Sequence, residues 1–233
     1  MLDRPTANLS LDRYAYAAQA VSEKAARPGS CTVFDIGAHD GRMKEVVEAC
    51  GYRWCGFDLR PEHPDVVAWD LTEPCPLTDR KANVVMLLDV IEHLVNPGIG
   101  LRNVRAVTQP GGALILTAPN PRWSRSRIHA LLHGNPACFT QSDLDLNGHV
   151  FTPWPHILVK ILADTGWEVV EFVTLDGRTT WPDRPLSPRY PLRLAHAAAN
   201  KAIEWFDASA CGMSFGLRAL ATRNSEQNGG SDG

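Results

Sequence analysis

What the chain lacks narrows its class before any motif does. No apolar run approaches the length of a membrane-spanning helix, and charges stand near the N-terminus where a signal peptide needs an apolar stretch, so a cytoplasmic protein is expected. Cysteine occurs six times, but Cys31, Cys50, Cys55, Cys75, Cys138 and Cys211 are scattered and none forms a Cys-x-x-Cys pair. That spacing argues against structural zinc and against a disulfide framework, and leaves small thiols packed in strands and helix ends. An excess of one charge sign is missing too: the net charge of −3 carries no general polyanion-binding signal, so no nucleic-acid partner is expected. Neither a repeat nor a second domain is visible. The 233 residues, 44% hydrophobic, suit one domain over 1–223 with a sizeable core.

The informative stretch is Cys31-Thr-Val-Phe-Asp-Ile-Gly-Ala-His-Asp-Gly41. Cys31 to Ile36 is too short for a helix, β-branched and aromatic in its middle, and stopped by Gly37, which reads as a buried strand. A helix is expected from Arg42 to Cys50, where Met43, Val46, Val47 and Cys50 fall at helical spacing before Gly51. A strand, turn and helix of this kind bring backbone amides to the carboxyl edge of a parallel sheet, where open α/β folds bind ligands. A further absence then decides between ligands. The dinucleotide fingerprint needs a second glycine so that backbone can approach a pyrophosphate, and His39 stands in its place.

Phe34-Asp-Ile-Gly-Ala-His-Asp-Gly41 resembles motif I of the class I S-adenosylmethionine-dependent methyltransferases, with His39 where that family usually has one more glycine. Later segments resemble the family in the right order. Tyr52 to Asp58 is a second short strand whose terminal acid follows the turn by about 20 residues, the separation that sets a carboxylate beside a ribose. Val66 to Thr72 is a third, ending in Asp70-Leu71; the resemblance implies that this acid bonds the adenine amino group and the next amide meets the ring. Ala82 to Leu88 is a fully buried central strand. It leads into Asp89-Val-Ile-Glu-His-Leu94, similar to the acid-led Glu-His segment of small-molecule methyltransferases, the ubiquinone-biosynthesis type included. Gln109-Pro-Gly-Gly112, the strand Ala113 to Ala118 and Pro119-Asn-Pro121 also recur in the family.

The implied fold is a Rossmann-like, doubly wound, seven-stranded α/β sheet with helices on both faces, mostly parallel with an antiparallel last strand. A helix over 9–26 precedes the sheet. Asn96-Pro97 opens another. Thr152-Pro153 is expected to start one whose core stripe is Ile157, Leu158, Ile161 and Leu162. Trp167 to Val173 makes the sixth strand, Met213 to Ala219 the last, and the polar tail 224–233 is expected to be disordered. The irregular stretch 119–151 reads as a lid or substrate-binding insertion.

The resemblance implies S-adenosyl-L-methionine as cofactor, S-adenosyl-L-homocysteine as product, and a cofactor site of Asp35, Gly37, Ala38, His39, Gly41, Asp58, Leu59, Asp70, Leu71, Asp89 and Val90. Its sulfonium is already activated, so positioning alone can contribute about 7–11 kcal/mol. A hydroxyl acceptor gains further from a base, and the candidates are His149 and His93, since imidazole titrates near neutral pH. His149 is preferred; His93 either faces the reacting centre or bonds a neighbouring loop. Tyr14, Glu92, Arg122, Trp123 and Arg127 are candidate substrate contacts, the arginines with Arg125 suiting an anionic group. Asp143, Asp145 and His149 offer an alternative divalent-metal set, but their spacing matches no recognised site and a metal-free mechanism is expected.

Three functions compete. The first is methylation of an oxygen, or alternatively a nitrogen, of a small metabolite or sugar-containing biosynthetic intermediate, by a chain that is a candidate homodimer. The second is a nicotinamide-dependent oxidoreductase, disfavoured by His39, Asp70-Leu71 and Asp89–Leu94. The third is a cofactor-binding module without catalysis, which the replacement of glycine by His39 keeps open.

Overall fold

The computed structural model describes residues 6–7, 11–23, 31–177, 179–183 and 188–222. In chain order the elements are β1 (Thr6–Ala7), α1 (Arg13–Glu23), β2 (Thr32–Ile36), α2 (Lys44–Ala49), β3 (Arg53–Asp58), β4 (Val66–Ala68), β5 (Ala82–Leu88), α3 (Pro97–Ala106), β6 (Thr108–Pro119), α4 (Ser124–His133), α5 (Gln141–Asn147), α6 (Pro155–Asp164), β7 (Trp167–Leu175), α7 (Tyr190–Phe206) and β8 (Ser214–Ala221). The strands form one sheet in the order β1-β7-β8-β6-β5-β2-β3-β4. All pairings are parallel except those of β8, which runs antiparallel between β6 and β7. The seven expected strands are therefore present. The additional β1 pairs only two residues with β7, too few to carry a periodic pattern.

The sheet is buried on both faces because its central strands carry apolar residues on both. On β5, Val85 and Leu87 join Phe34, Phe57, Leu116 and Leu217 in one cluster beneath α3 and α6. Val84 and Met86 of the same strand point the other way, into a cluster with Val33, Ile115 and Val173 beneath α1 and α2. Each such side chain, fully buried, contributes about 1.5–3 kcal/mol of transfer free energy. This two-sided demand for apolar cover forces the doubly wound layering.

Several boundaries differ from the sequence reading. Helix α1 starts at Arg13; residues 9–10 and 24–26 of the expected helix lie outside the described residues, as does the tail 224–233. Helix α6 starts at Pro155, not at Thr152, and Ile157 of its expected core stripe is 39% exposed while Leu158 and Leu162 are buried. The delay has a tertiary cause: the Val150 and Phe151 amides both donate to the Glu92 carbonyl at 3.0 Å, holding the entry to the helix extended. The stretch expected to be irregular contains α4 and α5, the latter started by a capping box between Thr140 and Asp143. Among the described residues no helix is long and apolar enough to cross a membrane.

Candidate functional site

The register aligns the carboxyl ends of the central strands. Ile36 is level with both Phe57 and Leu87, and Phe57 with Val67, so Asp70, Asp58, the Gly37–Gly41 turn and Asp89 follow one another along a single sheet edge.

At the turn, Gly37 adopts φ +80°, and a Cβ built there would lie 2.4 Å from Val90 Cγ2. Only glycine allows this closeness. The Gly37 and Ala38 amides donate to the Phe57 carbonyl at 2.8 and 3.0 Å, and the His39 amide donates to Asp58 Oδ2 at 3.0 Å. These amides, expected to face a ligand, lace the turn to β3. Gly41, also left-handed, lets its amide return to the Ala38 carbonyl at 2.7 Å. His39 itself has φ 45°, a left-handed conformation that explains why glycine is the family's usual residue there. Asp35 is buried and accepts the Trp54 indole N–H at 3.0 Å; burial pushes its carboxyl up to about 6. It supports the turn from within instead of opening onto solvent.

The two downstream acids are differently placed. Asp58 Oδ1 accepts the Arg60 amide at 2.9 Å while Oδ2 holds His39, and each oxygen keeps a lone pair for a further donor. Asp70 takes two bonds from Thr72 at 2.8 Å, both on Oδ1, which holds its carboxyl below the usual range and leaves Oδ2 for another donor. Leu59 is exposed beside the first acid, and Leu71 is buried beside the second.

Asp89 closes the row, in a left-handed conformation with φ 54°. Its Oδ1 accepts Thr117 Oγ1 at 2.8 Å and its Oδ2 pairs with the Arg13 guanidinium from α1. Arg13 and Arg42 each donate to the Tyr14 hydroxyl at 3.1 Å and lie over its ring, so Tyr14 is framed by two cations at the mouth of the edge. Sequence reasoning missed Arg13 and Thr117. Neither lies in a motif, and only tertiary packing brings them to Asp89.

Beyond Asp89, a short 3₁₀ turn over Ile91–His93 carries the next pair. Glu92 is 1% exposed, its Oε2 has no hydrogen-bond partner, and burial followed by the Asp89 charge pushes its carboxyl up to about 8. His93 packs edge-on against His149 with ring centroids 5.1 Å apart. Burial, then the neighbouring His149, holds the His93 imidazolium below its ordinary range, against bonds to the Gly148 and Asn147 backbone. Of the two expectations for His93 the loop contact is the one observed, and that loop carries His149. The His149 Nδ1 lies 2.6 Å from the Cys138 carbonyl, whose residue is itself left-handed at φ 70°. A carbonyl can only accept, so Nδ1 is a protonated nitrogen, and in the neutral ring the lone pair is on Nε2. Ligand atoms of Glu92, His93 and His149 lie within 4.8 Å of one another, the one such group among the described residues.

Other expected residues are engaged elsewhere. Asp143 closes the α5 capping box and Asp145 bonds Gln141, so neither carboxylate joins His149 in the alternative metal set. Arg127 is tied to Asp207 and to the Arg122 carbonyl, and Arg125 lies over the Trp123 ring; the expected arginine cluster is divided among these partners.

A family model described as a methyltransferase domain matches residues 10–172, from α1 into β7. The chain belongs to this methyltransferase family. The demethylmenaquinone methyltransferase of Paenarthrobacter aurescens (strain TC1) is 25% identical over 166 residues, 62% of this chain, and the match spans 65% of that relative's length. Among solved structures, a SAM-dependent methyltransferase from Archaeoglobus fulgidus superposes with a TM-score of 0.59 at 18% identity, covering 89% of this chain and 94% of that one. The [4+2]-cyclase SpnF does so with 0.57 at 16% identity, covering 94% and 88%. These structural likenesses carry the fold. Family membership makes S-adenosylmethionine the cofactor, and the edge has groups that suit it: Asp58 and Asp70 keep lone pairs able to accept from hydroxyl and amino donors such as those of an adenosine.

Proposed function

We propose that the protein methylates an oxygen of a small metabolite or sugar-containing intermediate, with S-adenosylmethionine as donor and S-adenosylhomocysteine as product. One observation supports the oxygen assignment: the Cys138 carbonyl takes the His149 Nδ1 proton, so the neutral ring would offer its lone pair at Nε2, beside the buried Glu92 and His93. When bound, the cofactor supplies a methyl group already activated by its sulfonium. In this reading Asp58 accepts the ribose hydroxyls and Asp70 Oδ2 the adenine amino group, with Leu71 against the ring. The opposite charges of Asp89 and Arg13 suit the amino and carboxylate groups of the methionine end. His149 Nε2 would take the acceptor's hydroxyl proton, so that the oxygen could receive the methyl group that the bound cofactor would supply. Positioning and general base catalysis together suffice for such a transfer. Trp123, Tyr14 and the Arg122 side of the lid border the acceptor's approach, while Arg127 steadies the lid through Asp207.

A panel of phenolic and sugar hydroxyl acceptors, incubated with methyl-labelled cofactor and read by mass spectrometry, tests the assignment. Labelled methyl ether is expected. Absence of calorimetric binding of either the cofactor or its demethylated product overturns it, and label on nitrogen moves the acceptor class. The unpartnered Glu92 Oε2 favours a second reading, in which Glu92, His93 and His149 hold a divalent cation against a diol. Turnover abolished by a chelator and restored by the ion selects it; turnover indifferent to the chelator leaves His149 as the base.

A further inference from the structure

The loop between α4 and α5 is tied down by side chains that bond its backbone. Ser126 of α4, fully buried, donates its hydroxyl to the Ala137 carbonyl at 3.1 Å. Three residues on, along the same helix face, His129 Nδ1 meets the Asn135 carbonyl at 2.7 Å. The Asn135 side-chain amide then donates across the loop to the Phe139 carbonyl at 2.8 Å. Helix α4 is itself fastened to the fold, through Ser124 to Glu204 and through Arg127 to Asp207. The carbonyls of Asn135, Ala137 and Phe139 are thus each held by a side chain, and that of Pro136 accepts the Phe139 amide at 3.2 Å.

Cys138 stands inside this series at φ 70°. A left-handed residue other than glycine is strained, and it persists only where its surroundings over-determine it. Here the carbonyls on either side are both held, Ala137 by Ser126 and Phe139 by Asn135, so the backbone of Cys138 has little room to relax. Its own carbonyl meets His149 Nδ1 at 2.6 Å, and the Phe139 ring packs on the same imidazole with centroids 5.7 Å apart. A clamp that served stability alone would gain nothing from a strained residue at its centre. The strain falls on the one residue of the loop whose carbonyl fixes the His149 ring.

We propose that Asn135 and Ser126 are positioning residues: by holding the carbonyls that flank Cys138 they aim its own carbonyl at His149 Nδ1, and so place the lone pair of the neutral ring at Nε2. The proposal deepens the methyl-transfer reading, since its purpose rests on His149 being the base. Long-range proton–nitrogen correlation spectra of the nitrogen-labelled full chain test it, recorded at alkaline pH where an imidazole is ordinarily neutral. The His149 signals are identified by their loss in His149→Gln. The wild-type ring is expected as the Nδ1–H form. Asn135→Ala should move the ratio of Nδ1–H to Nε2–H forms toward Nε2–H by about 5- to 10-fold, and Ser126→Ala by a smaller factor. Both variants should keep the wild-type circular dichroism and affinity for S-adenosylhomocysteine. A merely structural clamp would lower the melting temperature and leave the tautomer ratio in place. A wild-type ring protonated at Nε2 overturns the proposal, and so does an unchanged ratio in Asn135→Ala. If Asn135→Ala loses the native dichroism, Ser126→Ala is read by the same criterion. The spectra need neither acceptor nor turnover, so their outcome is separate from that of His149→Ala, which tests the base itself.

Discussion

The sheet edge has two halves built on different physical terms. In the half proposed to hold the nucleotide, from Gly37 to Asp70, Asp58 and Asp70 are partly or fully exposed, and neighbouring amides steady them within a few residues or across one strand. In the half proposed to receive the acceptor, Asp89 is left-handed, Glu92 is buried with an unpartnered oxygen, and His93 meets a histidine from a segment distant in the chain. The first half is locally satisfied and suits recognition of a fixed ligand. The second holds polar groups in costly settings, the arrangement expected where protons move.

The sharpest way to break this comparison is at His149. His149→Ala should lower turnover by roughly 10²–10⁴-fold with cofactor affinity nearly unchanged; steady-state rates beside calorimetric titration check both, and a wild-type rate removes the base. The mirror experiment is Asp58→Ala. It should weaken cofactor binding by about 10- to 100-fold while turnover at saturating cofactor changes little. An unchanged dissociation constant sinks the ribose assignment.

Glu92 sharpens the contrast through pH. Its carboxyl is raised from an ordinary 4.5 to about 8, so between those values the folded chain keeps a proton that the unfolded chain releases. Stability from this group is therefore greatest below about 4.5 and is lost as pH climbs toward 8. Glu92→Gln keeps the shape and removes the titration. It should melt several °C above wild type at pH 8 and close to wild type at pH 5, measured by calorimetry; identical differences at both pH values would count against a buried, protonated Glu92. The smallest effect lies at His39. His39→Gly relieves the left-handed strain and should raise stability by about 1 kcal/mol, with cofactor affinity preserved, as denaturant titration and calorimetry will show.

Legibility divides along the same line. The buried strand before Gly37, the acid closing β3 and the acid beyond β4 could all be read from short patterns, because each is set by burial and spacing within one strand and turn. His93 and His149 could be named singly, but their meeting depends on the Glu92 carbonyl capturing the Val150 and Phe151 amides, a contact between segments far apart in the chain. Arg13, Thr117 and the Cys138 carbonyl carried no signal at all. The engagement of Arg125 by Trp123 and of Arg127 by Asp207 and backbone was equally hidden, since an arginine's partner depends on what packs beside it.

The amino-acid order by itself determined the alternation of strands and helices, the doubly wound sheet and the row of acids along its edge, because hydrophobic period and turn chemistry act over a few neighbouring residues. Only the tertiary structure decided which His149 nitrogen meets the Cys138 carbonyl and which cation meets Asp89. Those depend on groups distant in sequence arriving within hydrogen-bond reach, and short-range patterns cannot encode that coincidence.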